Sequence, residues 1–235
     1  MKADTDLAAT LLAVARRGPM ETNPFVQAVV RGEISREEIK NFAIFLTTVA
    51  AVFPKRIAAV LAICDDAEVK RSLLGNLLEE EGVVAYVPGE GVRIDYERAH
   101  TSLARRFARA AGASEVEIDA HTVPPVRWFE ERIRMGDWMG AFAHFSIGYE
   151  ANVPATFRLL MEPLLTIYGF REHDLEFLTE HFIADERHGI EAADLIERVA
   201  VSGEARARAL EGARRGGHAW WHILRAHLRP AAAPA

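Results

Sequence analysis

His181-Phe182-Ile183-Ala184-Asp185-Glu186-Arg187-His188 is the stretch on which the reading of this chain turns. It lies in a longer run, Asp174–Ser202, whose apolar residues recur at helical spacing. On a helix turning about 100° per residue, positions i, i+4 and i+7 share a face, so His181, Asp185 and His188 point the same way. Imidazole with carboxylate is a donor set of intermediate hardness that suits iron, manganese or zinc. The competing reading is a solvated polar face. It leaves a stripe of two histidines and one aspartate to chance, because Leu178, Phe182, Ile183 and Ile190 must occupy a buried arc of the same helix.

Outward from this segment, helical periodicity covers nearly the whole chain, and no run of alternating apolar and polar residues with hairpin turns interrupts it. The expected fold class is all-α. Helices are expected over Asp6–Arg17, stopped by Gly18-Pro19, and over Asn23–Arg31, ended by Gly32. A capping box at Ser35-Arg36-Glu37-Glu38 opens a long apolar helix reaching Cys64 and bent at Pro54. Asp65–Gly82 follows, with Leu73, Leu74, Leu77 and Leu78 as its buried stripe. Val83–Asp95 carries Pro88, Gly89 and Gly91 and reads as a loop or broken helix. Helices resume over Tyr96–Ala111, after a second capping box at Ser114–Glu117, and over Pro124–Met135, Met139–Tyr168, Asp174–Ser202 and Ala205–Leu228. One helical domain is expected over 1–230, with a frayed Ala/Pro tail at 231–235.

Composition narrows the function classes. The 235 residues carry 28 Lys plus Arg against 34 Asp plus Glu, a net charge of -6, which argues against a general nucleic-acid binder or a polybasic membrane protein. A single cysteine, Cys64, excludes an internal disulfide framework and cysteine-based zinc or iron–sulfur clusters. It fits a reducing compartment, and a cytoplasmic location is expected. No stretch approaches the roughly 20 uninterrupted apolar residues that span a bilayer, so no membrane partner is expected.

Two further elements join the first. Glu150 stands alone among Phe142, Phe145, Ile147, Val153 and Phe157, and a lone buried carboxylate needs a cation or a proton. The competing reading places it on a polar edge beside Arg158 or His144. In Asn76-Leu77-Leu78-Glu79-Glu80-Glu81-Gly82, Glu80 is i+3 from Leu77 and i+7 from Leu73 and faces the core, whereas Glu79 lines up with Ser72 and Asn76 and faces water. Glu81, on the Leu74/Leu78 edge, stays a candidate. His100 shares an inward face with Leu103, Ala104 and Phe107, where a hydrogen-bonded core histidine is the competing reading. Together these residues offer carboxylates and imidazoles on different helices of one bundle, the requirement for a two-iron or two-manganese centre. In the ferritin-like arrangement of two lone Glu and two Glu-x-x-His pairs, Glu97-x-x-His100 and Asp185-x-x-His188 imitate the pairs, and His181 has no counterpart.

The arrangement Asn-Leu-x-acid-Glu-x-Gly, then Glu-Arg-Ala-His, then Gly-Tyr-Glu, then His-x-x-x-Asp-x-x-His resembles that of the haem-oxygenase-like diiron oxidases, relatives of the thiaminase and pyrroloquinoline-quinone synthase folds. The resemblance covers roughly Asn23 to Val199. It implies a haem-oxygenase-like seven-helix bundle that binds no haem and uses dioxygen as cosubstrate. It also implies a centre of two ferrous ions held by Glu80, His100, Glu150, His181, Asp185 and His188. One departure is the 19-residue separation of Glu80 and His100, created by an apparent insertion at Val83–Tyr96 that reads as a lid or substrate-selecting loop. Glu97 is therefore a rival to Glu80 as first carboxylate, and the Asn76 and Gly82 flanks favour Glu80.

The resemblance further implies an oxygenase or oxidase acting on a small amino-acid-like or carboxylic-acid substrate in a biosynthetic pathway, with an external reductant as a further partner. Two alternatives stand beside it: a metal-independent enzyme of the thiaminase or quinone-synthase type, and a non-catalytic metal- or ligand-binding helical protein. Cys64, the sole thiol, ends an apolar helix far in sequence from the carboxylates and reads as buried and inert. Relatives that sacrifice a lysine after Gly-Tyr-Glu are disfavoured, since Lys40, Lys55 and Lys70 all precede it. The last helix, with Arg214, Arg215, His218, Trp220, Trp221, His222, Arg225, His227 and Arg229, reads as packing on the bundle or as a homodimer face. Arg127, Arg134 and Arg158 are candidate anchors for a substrate carboxylate, with surface ion pairing as the competing role.

Overall fold

The computed structural model describes residues 6–16, 18–89 and 91–228; the tail expected to fray lies outside them, as do Glu90 and Arg229. Within them the periodicity becomes eleven α-helices: α1 (Leu7–Ala15), α2 (Pro24–Val30), α3 (Arg36–Ile63), α4 (Ala67–Glu80), α5 (His100–Ala110), α6 (Glu115–Ala120), α7 (Arg127–Arg134), α8 (Trp138–Phe142), α9 (Val153–Thr166), α10 (Glu176–Val199) and α11 (Gly203–Ala226). Both capping boxes form. Ser35 Oγ accepts from the Glu38 amide at 3.2 Å while Glu38 Oε2 accepts from the Ser35 amide at 2.8 Å, and Ser114 and Glu117 repeat the exchange at α6.

Helix α3 runs through Pro54 and buries Ile39, Phe42, Leu46 and Ile57. It is long and apolar enough by length and composition to cross a membrane, a test that core helices also pass and that the count of uninterrupted apolar residues overlooks. On α4 only Leu73 of the expected stripe is fully buried. Leu74 and Leu78 are exposed and Leu77 is half-buried, because α4 covers α3 with one narrow face.

The largest departure is at Val83–Asp95. Here an antiparallel hairpin, β1 (Val83–Val87) and β2 (Gly91–Ile94), replaces the expected loop or broken helix. Its alternation is invisible in the sequence because Val84, Tyr86 and Val92, on the water side, are apolar too. The hairpin is pinched at its base, where the Asp95 amide donates to Gly82 O at 2.9 Å. Gly82 has φ +73°, and a Cβ there would lie 2.4 Å from Asp95 O, so only glycine fits. The insertion thus leaves and rejoins the bundle at one point, and the end of α4 meets the start of α5.

A second departure lies within Met139–Tyr168, expected as one helix. After α8 the backbone widens into a π-helical segment, Ala143–Tyr149, and then turns before α9. Asn152 secures the turn, its side-chain amide donating to Ala15 O at 3.1 Å and to Gly148 O at 2.8 Å, and Pro154 occupies the first turn of α9, where its missing N–H costs nothing. The π segment packs closely on α11: a Cβ on Gly216 would sit 1.9 Å from His144 O, and one on Gly148 would meet Gly216 Cα at 2.5 Å.

His144 in this segment is buried, with Trp128 stacked on it at 5.3 Å and Nδ1 lacking a hydrogen-bond partner. Burial, helped by Arg56 and Arg215, pushes its imidazole down to about 3. The unfolded chain, with a histidine near 6.5, then binds the extra proton between about pH 6.5 and 3, and stability is lost as pH falls through that window. Lowering the pH from 7 to 5 is expected to cost about 2 kcal/mol through this residue. Denaturant melts of His144→Phe at both pH values should show that much less loss than wild type; equal losses would remove His144 as the origin.

Candidate metal centre

Two three-donor groups face inward where α4, α5, α10 and the end of the π segment meet. Glu80, the last residue of α4, and His100, the first of α5, join His181 of α10; Glu150, directly after the π segment, joins Asp185 and His188 of α10. Within each group the donor atoms lie within 4.8 Å of one another. The six residues come from segments up to 108 positions apart in sequence, and each is buried or nearly so.

Several side chains fall otherwise than the sequence suggests. On α10 the polar stripe itself faces inward beside Leu178, while Ile183 and Ile190 are exposed, so the buried arc assigned to them is instead the His181/Asp185/His188 face. The rivals of Glu80 lie elsewhere: Glu81 is exposed, and the Glu97 side chain is 86% exposed and reaches only toward Arg106. Glu150 is 3% exposed and stands with Asp185 and His188 rather than on a polar edge; Arg158 lies over the Phe182 ring and His144 against Trp128. Arg127, Arg134 and Arg158 are all exposed. Cys64 is buried in the core with its thiol pushed up by burial. Trp220 packs inward, its indole N–H donating to Thr156 Oγ1 at 3.0 Å.

The electrostatics follow from burial. Glu150 is driven well above the usual carboxylate range by burial and then by the neighbouring Asp185. His181 is pushed down by burial and by His100, and its Nδ1 lies 2.8 Å from the carbonyl of Phe177, which leaves Nε2 as its donor. For His100 burial opposes the charge, but Glu80 outweighs it and the pKa rises. For His188 burial likewise opposes, and the flanking carboxylates of Asp185 and Glu79 carry it up to about 10.

Glu80 Oε2, His100 Nδ1 and Glu150 Oε2 are buried without a partner in hydrogen-bond geometry, although the first two stand 2.9 Å apart. Each such atom costs about 1–3 kcal/mol to bury, and a shared cation removes that cost. As ligands, whose donor atoms must give up their protons, three carboxylates and three neutral imidazoles carry charge -3, which two divalent ions would turn to +1. The donor set therefore fits a pair of iron-like ions. Over it lies a small cavity of about 40 Å³, walled by Leu46, Phe53, Tyr149, Phe157, Phe177 and Trp220 and floored by Glu80, Glu150, His181 and Asp185, with no lysine or arginine among its described lining residues.

Glu79 was not expected here. It is half exposed, as its water-facing register requires, yet its Oε2 lies 3.1 Å from His188 Nε2. No sequence signal marks that contact, because the two residues are brought together only by the docking of α4 on α10.

A family model described as iron-containing redox enzyme matches residues 40–221. The chain is 28% identical over 229 residues to a 4-aminobenzoate synthase of Chlamydia muridarum, covering 93% of this chain and 89% of that protein. A TenA homologue from Pseudomonas syringae pv. tomato superposes with TM-score 0.70 at 14% identity, over 93% of this chain and 89% of that one. A domain with a heme oxygenase-like fold from Shewanella denitrificans does so with TM-score 0.63 at 16% identity, over 94% and 88%. The two structural likenesses give the fold, a haem-oxygenase-like helical bundle.

Proposed function

Since this chain belongs to the iron-containing redox enzyme family, we propose that it is a non-haem, dioxygen-dependent oxidase or oxygenase with a two-iron centre. The observation that carries this reading is the pair of buried three-donor groups with orphaned oxygens and nitrogen beneath an apolar cavity. Glu80, His100 and His181 would hold one ion, and Glu150, Asp185 and His188 the other. Bound there, two ferrous ions supply electrons for the reduction of dioxygen.

The chain's own residues account for the rest. Phe53, Phe157, Phe177 and Trp220 exclude water and offer flat apolar faces to a small substrate. The carbonyl of Phe177 fixes the His181 tautomer. With no cationic side chain among the described lining residues, a substrate carboxylate would be held by the net positive charge of the loaded centre. An amino-acid-like or carboxylic-acid substrate fits these properties. The name of the Chlamydia relative adds an aromatic amino carboxylate, 4-aminobenzoate, as a product class to assay.

The test is anaerobic titration of metal-free protein with ferrous iron, then mixing with oxygen under optical and Mössbauer observation. Two irons per chain and oxygen-dependent oxidation of both support the reading; failure to bind iron overturns it. A second reading, a metal-independent enzyme of the same fold, draws on the likeness to the TenA homologue. It expects full turnover by protein stripped of metal.

A further inference from the structure

Among the described residues, His188 is the one histidine of the proposed centre held by a side chain from outside it. Its ring lies between Asp185, whose Oδ1 is 3.7 Å from Nδ1, and Glu79, whose Oε2 is 3.1 Å from Nε2. His181 is oriented differently, by the main-chain carbonyl of Phe177 one turn back on its own helix. A carbonyl of the same helix cannot serve His188 in this way when its Nε2 points out of the bundle toward α4. The outward nitrogen also has Arg187 Nη2 at 3.1 Å, and Arg187 Nη2 reaches Glu79 Oε1 at 3.3 Å.

Only one of these two neighbours can accept a proton. A guanidinium is donor-only, so Arg187 can bond Nε2 only if that nitrogen is bare, which would leave the proton on Nδ1, the nitrogen that faces Asp185. A carboxylate is acceptor-only, so Glu79 holds a proton on Nε2, and Nδ1, which faces Asp185 and Glu150, is then the nitrogen that would give up its proton for a metal ion. The two neighbours thus select opposite tautomers, and only the one selected by Glu79 can ligate.

We propose that Glu79 is a positioning residue of the metal centre, which selects the ligating tautomer of His188 and fixes its ring, with Arg187 holding the Glu79 carboxylate in place. The inference rests on the two-iron reading and makes the two sites unequal: His188 of the Glu150/Asp185/His188 site is oriented by a carboxylate that is not itself a ligand, whereas His181 of the other site is oriented by a main-chain carbonyl of its own helix.

The test is anaerobic ferrous titration, against a competing chelator, of wild type, Glu79→Ala, Glu79→Gln and Arg187→Gln, with a thermal melt of each metal-free protein. Loss of an orienting carboxylate behind a ligating histidine typically costs 10–100-fold in metal affinity. Glu79→Ala is expected to weaken one of the two irons by about that factor and leave the other unchanged, with a changed Mössbauer signature for one iron only. Glu79→Gln, whose amide oxygen still accepts from Nε2–H, recovers most of the affinity. Arg187→Gln, which breaks the ion pair and keeps the acceptor, loses much less than Glu79→Ala. Two irons bound as in wild type by Glu79→Ala overturns the inference, as does equal loss in Arg187→Gln, which would make the ion pair the operative feature. Wild type that takes up no iron overturns the two-iron reading and this inference together; wild type with two irons and an unaffected Glu79→Ala overturns the inference alone.

Discussion

His181→Ala is expected to hold at most one tightly bound iron per chain and to lose substrate-dependent oxygen consumption. Of the three donors in its group, Glu80 and His100 come from the ends of α4 and α5, and His181 is the only one supplied by α10. Removing it leaves two donors, too few to complete a site. Changes behind a ligand already cost 10–100-fold in affinity, so losing a ligand should cost about 10³-fold or more. The metal-free fold should tolerate the change. His181 carries no charge partner that folding depends on, its imidazole being driven toward neutrality by burial, and its one hydrogen bond is to a helical carbonyl. A shift in Tm of no more than about 5 °C is expected, corresponding to roughly 1–2 kcal/mol in a chain of this size. Iron analysis, an oxygen electrode and a thermal melt on one preparation check all three statements. Activity that survives with the iron gone would sink the two-iron reading in favour of the metal-independent one.

The second large effect concerns stability. Gly216→Ala places a Cβ 1.9 Å from the carbonyl oxygen of His144 and 2.8 Å from Gly148 Cα, so α11 and the π segment must separate. Overpacking of this kind costs about 1–3 kcal/mol, and more where backbone rather than a flexible side chain must yield. The gain of up to about 1 kcal/mol in helix propensity is too small to offset it. A net loss of roughly 2–4 kcal/mol is expected, or a Tm lower by about 5–15 °C. Because Glu150 follows the displaced segment directly, iron binding should weaken as well. Gly75→Ala, within α4 where a Cβ meets nothing within 4 Å, is the contrast and should be neutral or stabilising by up to about 1 kcal/mol. Equal melting of the two variants would show that the close approach of α11 does not constrain the fold.

That His181, Asp185 and His188 share one face of α10 was legible because helix geometry maps spacing directly onto direction, whatever the rest of the chain does. Glu80 and His100 were legible to the extent that each sits one helical repeat from buried leucine or phenylalanine. Their meeting was not. It depends on the hairpin returning to Gly82, and that return is set by one main-chain bond and one close contact, neither of which leaves a periodic trace.

The sequence by itself determined the all-α class, the two capping boxes, most helix spans and the orientation of single side chains about their own helix axes, because these depend on residues within a few positions of one another. Tertiary structure alone decided which carboxylate joins His100, that Ile183 and Ile190 rather than the His/Asp stripe face water, that the chain widens into a π turn before Glu150, and that Glu79 touches His188. These depend on how close two helices approach and on which faces dock. Contacts of that kind join residues far apart in the chain, 109 positions for Glu79 and His188, and are made by shape rather than by spacing.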